Sequence, residues 1–74
     1  MIYQAVFERG SDGSVFAYVP DLPGCTSWGE TLDAAQQNVA EAMALWIEDA
    51  RERGDDVPAA TTITALAIEV DSAA

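Results

Sequence analysis

The side chains of this chain that could take part in chemistry are carboxylates and one thiol. Thirteen Asp and Glu residues outnumber three cations, all arginines, and the formal net charge is −10. Converging carboxylates are typical Mg²⁺ ligands in hydrolytic sites, so metal-assisted hydrolysis is the first chemistry to consider. Six carboxylates are candidates by residue type: Asp21, Glu30, Asp33, Glu41, Glu48 and Asp49.

The residue types that are missing exclude most other catalysis. Histidine and lysine do not occur in the sequence. Without histidine, the chain cannot form a Ser-His-Asp or Cys-His pair or a His-ligated zinc site, and without lysine it cannot form a Schiff base. Cys25, the single cysteine, has no neighbouring base type to lower its pKa, which favours a small buried side chain over a nucleophile. We therefore predict no enzyme activity and no cofactor.

A long amphipathic helix is predicted over residues 32–53, with Thr31 as its N-cap and Gly54 just after its end. Its apolar stripe follows the helical period. Glu41 and Glu48 fall outside that stripe, and no strand places a carboxylate at an obvious centre. This pattern indicates that the acidic residues form a solvated face rather than a metal site. The predicted stripe is Leu32, Ala35, Val39, Ala42, Met43, Trp46, Ile47 and Ala50.

Four strand-like segments surround the helix in the sequence. They cover residues 2–9, 14–19, 25–28 and 61–70, and a glycine-rich turn separates the first two. Three antiparallel strands followed by a helical crossover would place the last strand parallel to the first and third. The sequence thus predicts an α+β fold of order β-β-β-α-β, with a single mixed sheet and one long helix on one face.

One helix can cover only one face of such a sheet. Strands one, two and four carry apolar side chains on both faces, and leaving large ones exposed would weaken a small domain. We expect another chain to cover the second face. The alternative is that scattered Val and Ala side chains on that face simply tolerate water.

A stiff corner joins the second and third segments, because two prolines fix its backbone. Pro20-Asp21-Leu22-Pro23-Gly24-Cys25 is followed closely by Gly29-Glu30-Thr31 and then by the predicted helix. Asp21, between the prolines, is expected either to accept backbone N–H bonds or to contact a partner.

These motifs, with Ala35, Asn38, Glu41 and Ala42 of the helix, resemble the HicB-like antitoxin family over nearly the whole chain. The resemblance implies a partial RNase H-like domain over residues 1–70, followed by a disordered tail at 71–74. It also implies binding and neutralisation of a small basic mRNA-cleaving toxin of the HicA type, by masking of the toxin's RNA-binding and active surface. Asn38 would then hold the helix against the corner.

Charge and the cysteine count suggest where the chain acts and what it binds. A charge of −10 disfavours nucleic acid and anionic membranes and favours a basic protein partner. A single cysteine and the lack of an apolar leader suggest the cytoplasm. We also expect a homo-oligomer, either a dimer or a tetramer. The alternative function is a stand-alone homo-oligomeric binding or structural domain without a toxin partner.

Five residues are candidates for partner binding. Trp28 either caps the core or lies at an interface, and Leu45, which projects from the polar side of the helix, is either a tolerated exposed leucine or an interface residue. The set is Asp21, Leu22, Pro23, Trp28 and Leu45.

Overall fold

The computed structural model describes residues 1–71 and shows three strands followed by one helix. Strands β1 (Val6–Arg9), β2 (Val15–Tyr18) and β3 (Thr26–Gly29) precede helix α1 (Leu32–Glu52). The strands form one antiparallel sheet in the order β1-β2-β3. The predicted α+β class and the order of these four elements are confirmed.

The register of the sheet separates its two faces. Phe7 pairs with Ala17 on the face that carries the core, and Phe16 lies opposite Trp28 on the other face. Successive side chains of a strand point to opposite faces, so Val15 and Ala17 are buried whereas Phe16 between them is exposed. The outer face therefore carries large apolar side chains, as the alternation in the sequence predicts.

Helix α1 packs across β3 and β2 and covers the inner face of the sheet. Of its predicted stripe, Ala35, Val39 and Ala50 are buried. The prediction is wrong for Leu32, which lies at the start of the helix and is exposed. The main core cluster combines side chains from the strands, the corner and the helix. Its buried members are Tyr3, Ala17, Val19, Leu22, Cys25 and Val39.

The ends of the helix follow local rules of capping. The Thr31 hydroxyl accepts a hydrogen bond from the backbone N–H of Ala34 at 3.1 Å, which confirms the predicted N-cap. Gly54 follows the helix with a φ of +76°, a left-handed conformation that glycine adopts without strain. The last helical residue is Glu52, one residue before the predicted end.

The predicted strand over residues 61–70 is not formed. The sheet therefore lacks the parallel strand that would have made it mixed. Residues 55–71 contain no helix or strand. The segment is tied to the body by side chains rather than by a ladder of backbone hydrogen bonds: Asp21 binds Thr61, and the Gln4 side chain accepts the N–H of Ile63. No second layer covers its apolar side chains, so burial does not stabilise it as a strand. Of the predicted disordered tail at 71–74, all but Asp71 lies outside the described residues.

Candidate partner interface

The corner between β2 and β3 is a pair of consecutive turns. Leu22 N–H donates to the carbonyl of Val19 at 3.0 Å, and Cys25 N–H donates to the carbonyl of Leu22 at 2.9 Å. Each turn has proline at its second position, and Gly24 follows Pro23 with a φ of +81°, as a type II turn requires. Proline and glycine thus place this short segment in one conformation.

Two hydrogen bonds hold the helix against this part of the sheet. Trp46 Nε1 donates to the carbonyl oxygen of Pro23 at 3.0 Å, which ties the second half of α1 to the corner. Asn38 Nδ2 donates to the carbonyl oxygen of Trp28 at 2.8 Å. We predicted that Asn38 fixes the helix to the corner, and this prediction is wrong about the segment that Asn38 binds. Asn38 fixes the helix to β3. Trp46 fixes the helix to the corner.

An open groove lies between the corner and the second half of α1. Its volume is about 520 Å³. Leu45, 65% exposed, and the half-buried Trp46 give it an apolar floor. Three carboxylates rim it. We call this feature the corner groove; its lining residues are Gly24, Cys25, Thr26, Ala42, Leu45, Trp46, Glu48, Asp49 and Glu52.

The charge of the corner groove is negative. Arg53 forms ion pairs with Asp49 and, at 2.9 Å, with Asp55, and these carboxylates raise the pKa of the guanidinium. Within residues 1–71, Glu48 and Glu52 make no ion pair. The groove therefore combines exposed apolar surface with uncompensated negative charge, which is suited to a cationic protein surface with an apolar side chain at its centre.

The structure does not bring the five candidate binding residues onto one surface. Asp21 accepts hydrogen bonds from the N–H and the hydroxyl of Thr61, both at 2.8 Å, and so fastens the C-terminal segment to the corner. Leu22 is completely buried and belongs to the core, which removes its side chain from any surface. Pro23 is exposed beside the corner groove, Leu45 lies within it, and Trp28 is on the outer sheet face.

The outer sheet face is a second apolar surface. Phe16 is 41% exposed and Trp28 is 53% exposed, directly opposite each other on neighbouring strands. The ring of Phe16 also lies 6.0 Å from that of Tyr18, measured between centroids. Among the described residues no element covers these rings, because α1 packs on the other face.

The groups considered above for catalysis are not gathered into a reactive site. Within residues 1–71, no group of three or more Cys, Asp or Glu side chains is close enough to hold a metal ion. Burial raises the pKa of the Cys25 thiol, which keeps it protonated and weakly nucleophilic. No helix in this part of the chain is long and apolar enough to span a membrane.

Sequence reasoning did not single out the three carboxylates of the corner groove as a set. Glu48, Asp49 and Glu52 stand three, four and seven positions after Leu45. This spacing puts all four side chains on one face of the helix. The helical period therefore predicts that these four residues share a face. Only the position of the corner shows that this face borders a groove.

The chain is thus a small acidic α+β domain with an open groove beside its helix. Residues 3–73 match the family model described as the HicB_like antitoxin of bacterial toxin-antitoxin systems. The chain belongs to this family.

Relatives in phage, bacteria and archaea support this assignment. The chain is 40% identical over 63 residues to a 14.9 kDa protein of the rep-hol intergenic region of Haemophilus phage HP1, covering 85% of this chain and 47% of that protein. It is 39% identical over 56 residues to a UPF0150 protein of Synechocystis, covering 76% and 71% of the two chains. A UPF0150 protein of Thermoplasma acidophilum is 33% identical over 58 residues, covering 78% and 84%. This chain thus spans about half the length of the phage protein and more of the other two.

Proposed function

We propose that this chain is an antitoxin that binds and neutralises a small basic mRNA-cleaving toxin of the HicA type. Family membership supports the antitoxin role. The observation that carries the proposed mode of binding is the corner groove, which exposed Leu45 lines together with Glu48, Asp49 and Glu52. A toxin that binds RNA needs a cationic surface, and such a surface complements this groove.

Masking requires only that the antitoxin occupy the surface that RNA would use. Glu48 and Glu52, which make no ion pair within residues 1–71, would pair with the cations that otherwise contact phosphates. Leu45 would anchor the contact by burial of its apolar side chain. The chain itself performs no chemical step in this scheme.

The test uses a small basic mRNA-cleaving toxin of the HicA type. Its cleavage of mRNA is measured while the concentration of the acidic chain is raised, and we expect inhibition to be complete near one chain per toxin. Binding is measured by calorimetry with a toxin whose essential histidine is replaced by alanine. Undiminished mRNA cleavage in the presence of excess chain would contradict the proposal.

A charge-matched pair of variants locates the interface. Glu48→Gln with Glu52→Gln removes two charges from the groove, and Glu8→Gln with Asp33→Asn removes two from exposed positions elsewhere. We expect the groove pair to weaken binding at low salt by about tenfold or more, and the control pair to change it much less. Equal losses in both would mean that net charge, and not the groove, attracts the partner.

The second candidate function is a stand-alone homo-oligomeric binding or structural domain without a toxin partner. The observation that favours it is the outer sheet face, where Phe16 and Trp28 are exposed side by side. This alternative predicts self-association together with no effect on the toxin in the cleavage assay.

A further inference from the structure

The three carboxylates of the corner groove differ in what they contact. Glu48, Asp49 and Glu52 all line the groove, and all three are exposed. Among them, Asp49 alone is paired within residues 1–71: its carboxylate accepts a hydrogen bond from Nη1 of Arg53, four residues later in the chain. The groove therefore has two carboxylates with free charge and one whose charge the chain itself neutralises.

The turn that ends α1 holds Arg53 in this position. The N–H of Gly54 donates to the carbonyl of Arg51 at 3.1 Å, and the N–H of Asp55 donates to the carbonyl of Ala50 at 2.9 Å. This pair of bonds is a Schellman motif, which folds the chain back at the end of the helix. The carboxylate of Asp55 thereby accepts a hydrogen bond from Nε of Arg53 at 2.9 Å. The guanidinium is thus held between one carboxylate of the groove and one of the turn.

Two anchors make this pairing stronger than an ordinary ion pair on a protein surface. An exposed ion pair contributes little, partly because two long side chains lose conformational freedom to make it. Here Asp55 already fixes the guanidinium, so the pairing of Arg53 with Asp49 costs little further entropy. A cation of a partner protein must therefore displace Arg53 before it can pair with Asp49.

The two free carboxylates lie one helical turn apart. Glu48 and Glu52 are four residues apart in α1, which places their Cβ atoms about 5–6 Å from each other on the same side of the helix. Leu45 lies on this face, three residues before Glu48. A partner that fits this arrangement presents two cations at that spacing beside an apolar side chain. A partner whose cation meets Asp49 competes with Arg53 instead.

We propose that Arg53 masks Asp49, so that the corner groove recognises the cations of its basic partner through Glu48 and Glu52 alone. This inference rests on the proposed antitoxin function and adds the pattern of charges by which the groove binds its partner. Arg53 acts through Asp49 and needs no contact with the partner. Removing its cation exposes a third carboxylate in the groove, and a basic toxin should then bind more tightly.

Calorimetry with the catalytically inactive toxin compares the carboxylates of the groove one at a time. Glu48→Gln, Glu52→Gln and Asp49→Asn each remove one charge from the same surface. We expect either Glu variant to weaken binding about three- to fivefold at low salt, and Asp49→Asn to weaken it less than about twofold. In an Arg53→Gln background, Asp49→Asn should also cost about three- to fivefold, because its carboxylate is then free. Equal losses from all three carboxylates in the parent chain would overturn the proposal.

Arg53→Gln by itself should tighten binding, and Arg9→Gln is its matched control. Both variants lose one cation, and Arg9 is exposed at the end of β1, outside the groove. We expect Arg53→Gln to lower the dissociation constant about three- to fivefold at low salt, and Arg9→Gln to change it less than about twofold. Far-UV circular dichroism checks that both keep the helix.

The outcomes separate this inference from the function on which it rests. Equal tightening by Arg53→Gln and Arg9→Gln would show that net charge alone acts, and it would overturn the masking role of Arg53 while leaving the antitoxin function in place. No binding of the toxin by the parent chain would contradict the antitoxin function and this inference together.

Discussion

Replacing Gly29 by alanine tests how closely the helix is held to the sheet. A Cβ at this position would lie 2.3 Å from the backbone nitrogen of Ala35 and 2.8 Å from the carbonyl carbon of Ala34. Both are backbone atoms of the first turn of α1, so no side-chain rotation can relieve the contact. The start of the helix, which the Thr31 cap fixes to the same segment, would have to move away from β3.

The magnitude follows from the number of rigid atoms in the contact. Overpacking a core costs about 1–3 kcal/mol, and contact with backbone atoms places Gly29→Ala near the upper end. At about 0.05–0.15 kcal/mol per residue, a 74-residue domain has a free energy of unfolding of only about 4–11 kcal/mol. A loss of about 3 kcal/mol should therefore lower Tm by roughly 12–24 °C.

Thermal and urea unfolding, followed by far-UV circular dichroism, measure this loss. Gly10→Ala is the matched control, because its Cβ would lie 3.1 Å from Oδ1 of Asp12, a side-chain atom in an exposed turn that can shift. The control should lose less than about 1 kcal/mol. If Gly29→Ala were no less stable than Gly10→Ala, the close approach of helix and strand would not be a fixed feature of the fold, and the reasoning would fail.

Three further predictions concern single side chains. Thr31→Ala removes the N-cap and should lower the free energy of unfolding by about 1 kcal/mol, whereas Thr31→Ser should not; urea unfolding compares them. Trp46→Phe leaves the Pro23 carbonyl without its donor and should cost about 1 kcal/mol in the same assay. Hydrogen bonds from the hydroxyl and the N–H of Ser14 hold the pKa of Asp12 below its ordinary value of 3.8. Because the folded-state pKa is lowered, the stabilisation by Asp12 is complete above that ordinary value and is lost as the pH falls through the folded-state pKa. Asp12→Asn should thus be less stable than the parent at neutral pH, and this difference should shrink below about pH 4.

The elements that short-range rules specify could be predicted from the sequence. The N-cap at Thr31, the glycine after the helix and the two prolines of the corner each act through neighbouring residues, and the structure confirms all three. The apolar stripe of the helix was equally readable except at Leu32, which is 46% exposed, because the period of an α-helix decides which residues share a face. The exposed aromatic side chains on the outer sheet face follow in the same way from the period of a strand.

The features that sequence could not predict depend on contacts between distant segments. Residues 2–5 have the composition of a strand, but β1 begins only at Val6. Leu22 looks like part of an exposed corner, and only the position of the helix shows that it is buried. The segment 61–70 has the composition of a strand but not the hydrogen bonds of one. Strand propensity describes how well a residue fits an extended conformation, and it does not show whether the segment pairs with the edge of a sheet.

The corner groove predicts that Leu45→Lys greatly weakens binding of a basic toxin. The new cation opposes a basic partner, and the exposed apolar side chain that would anchor the contact is lost. Calorimetric titration with the inactive basic toxin measures the change. A normal complex for Leu45→Lys would contradict the groove as the site of binding.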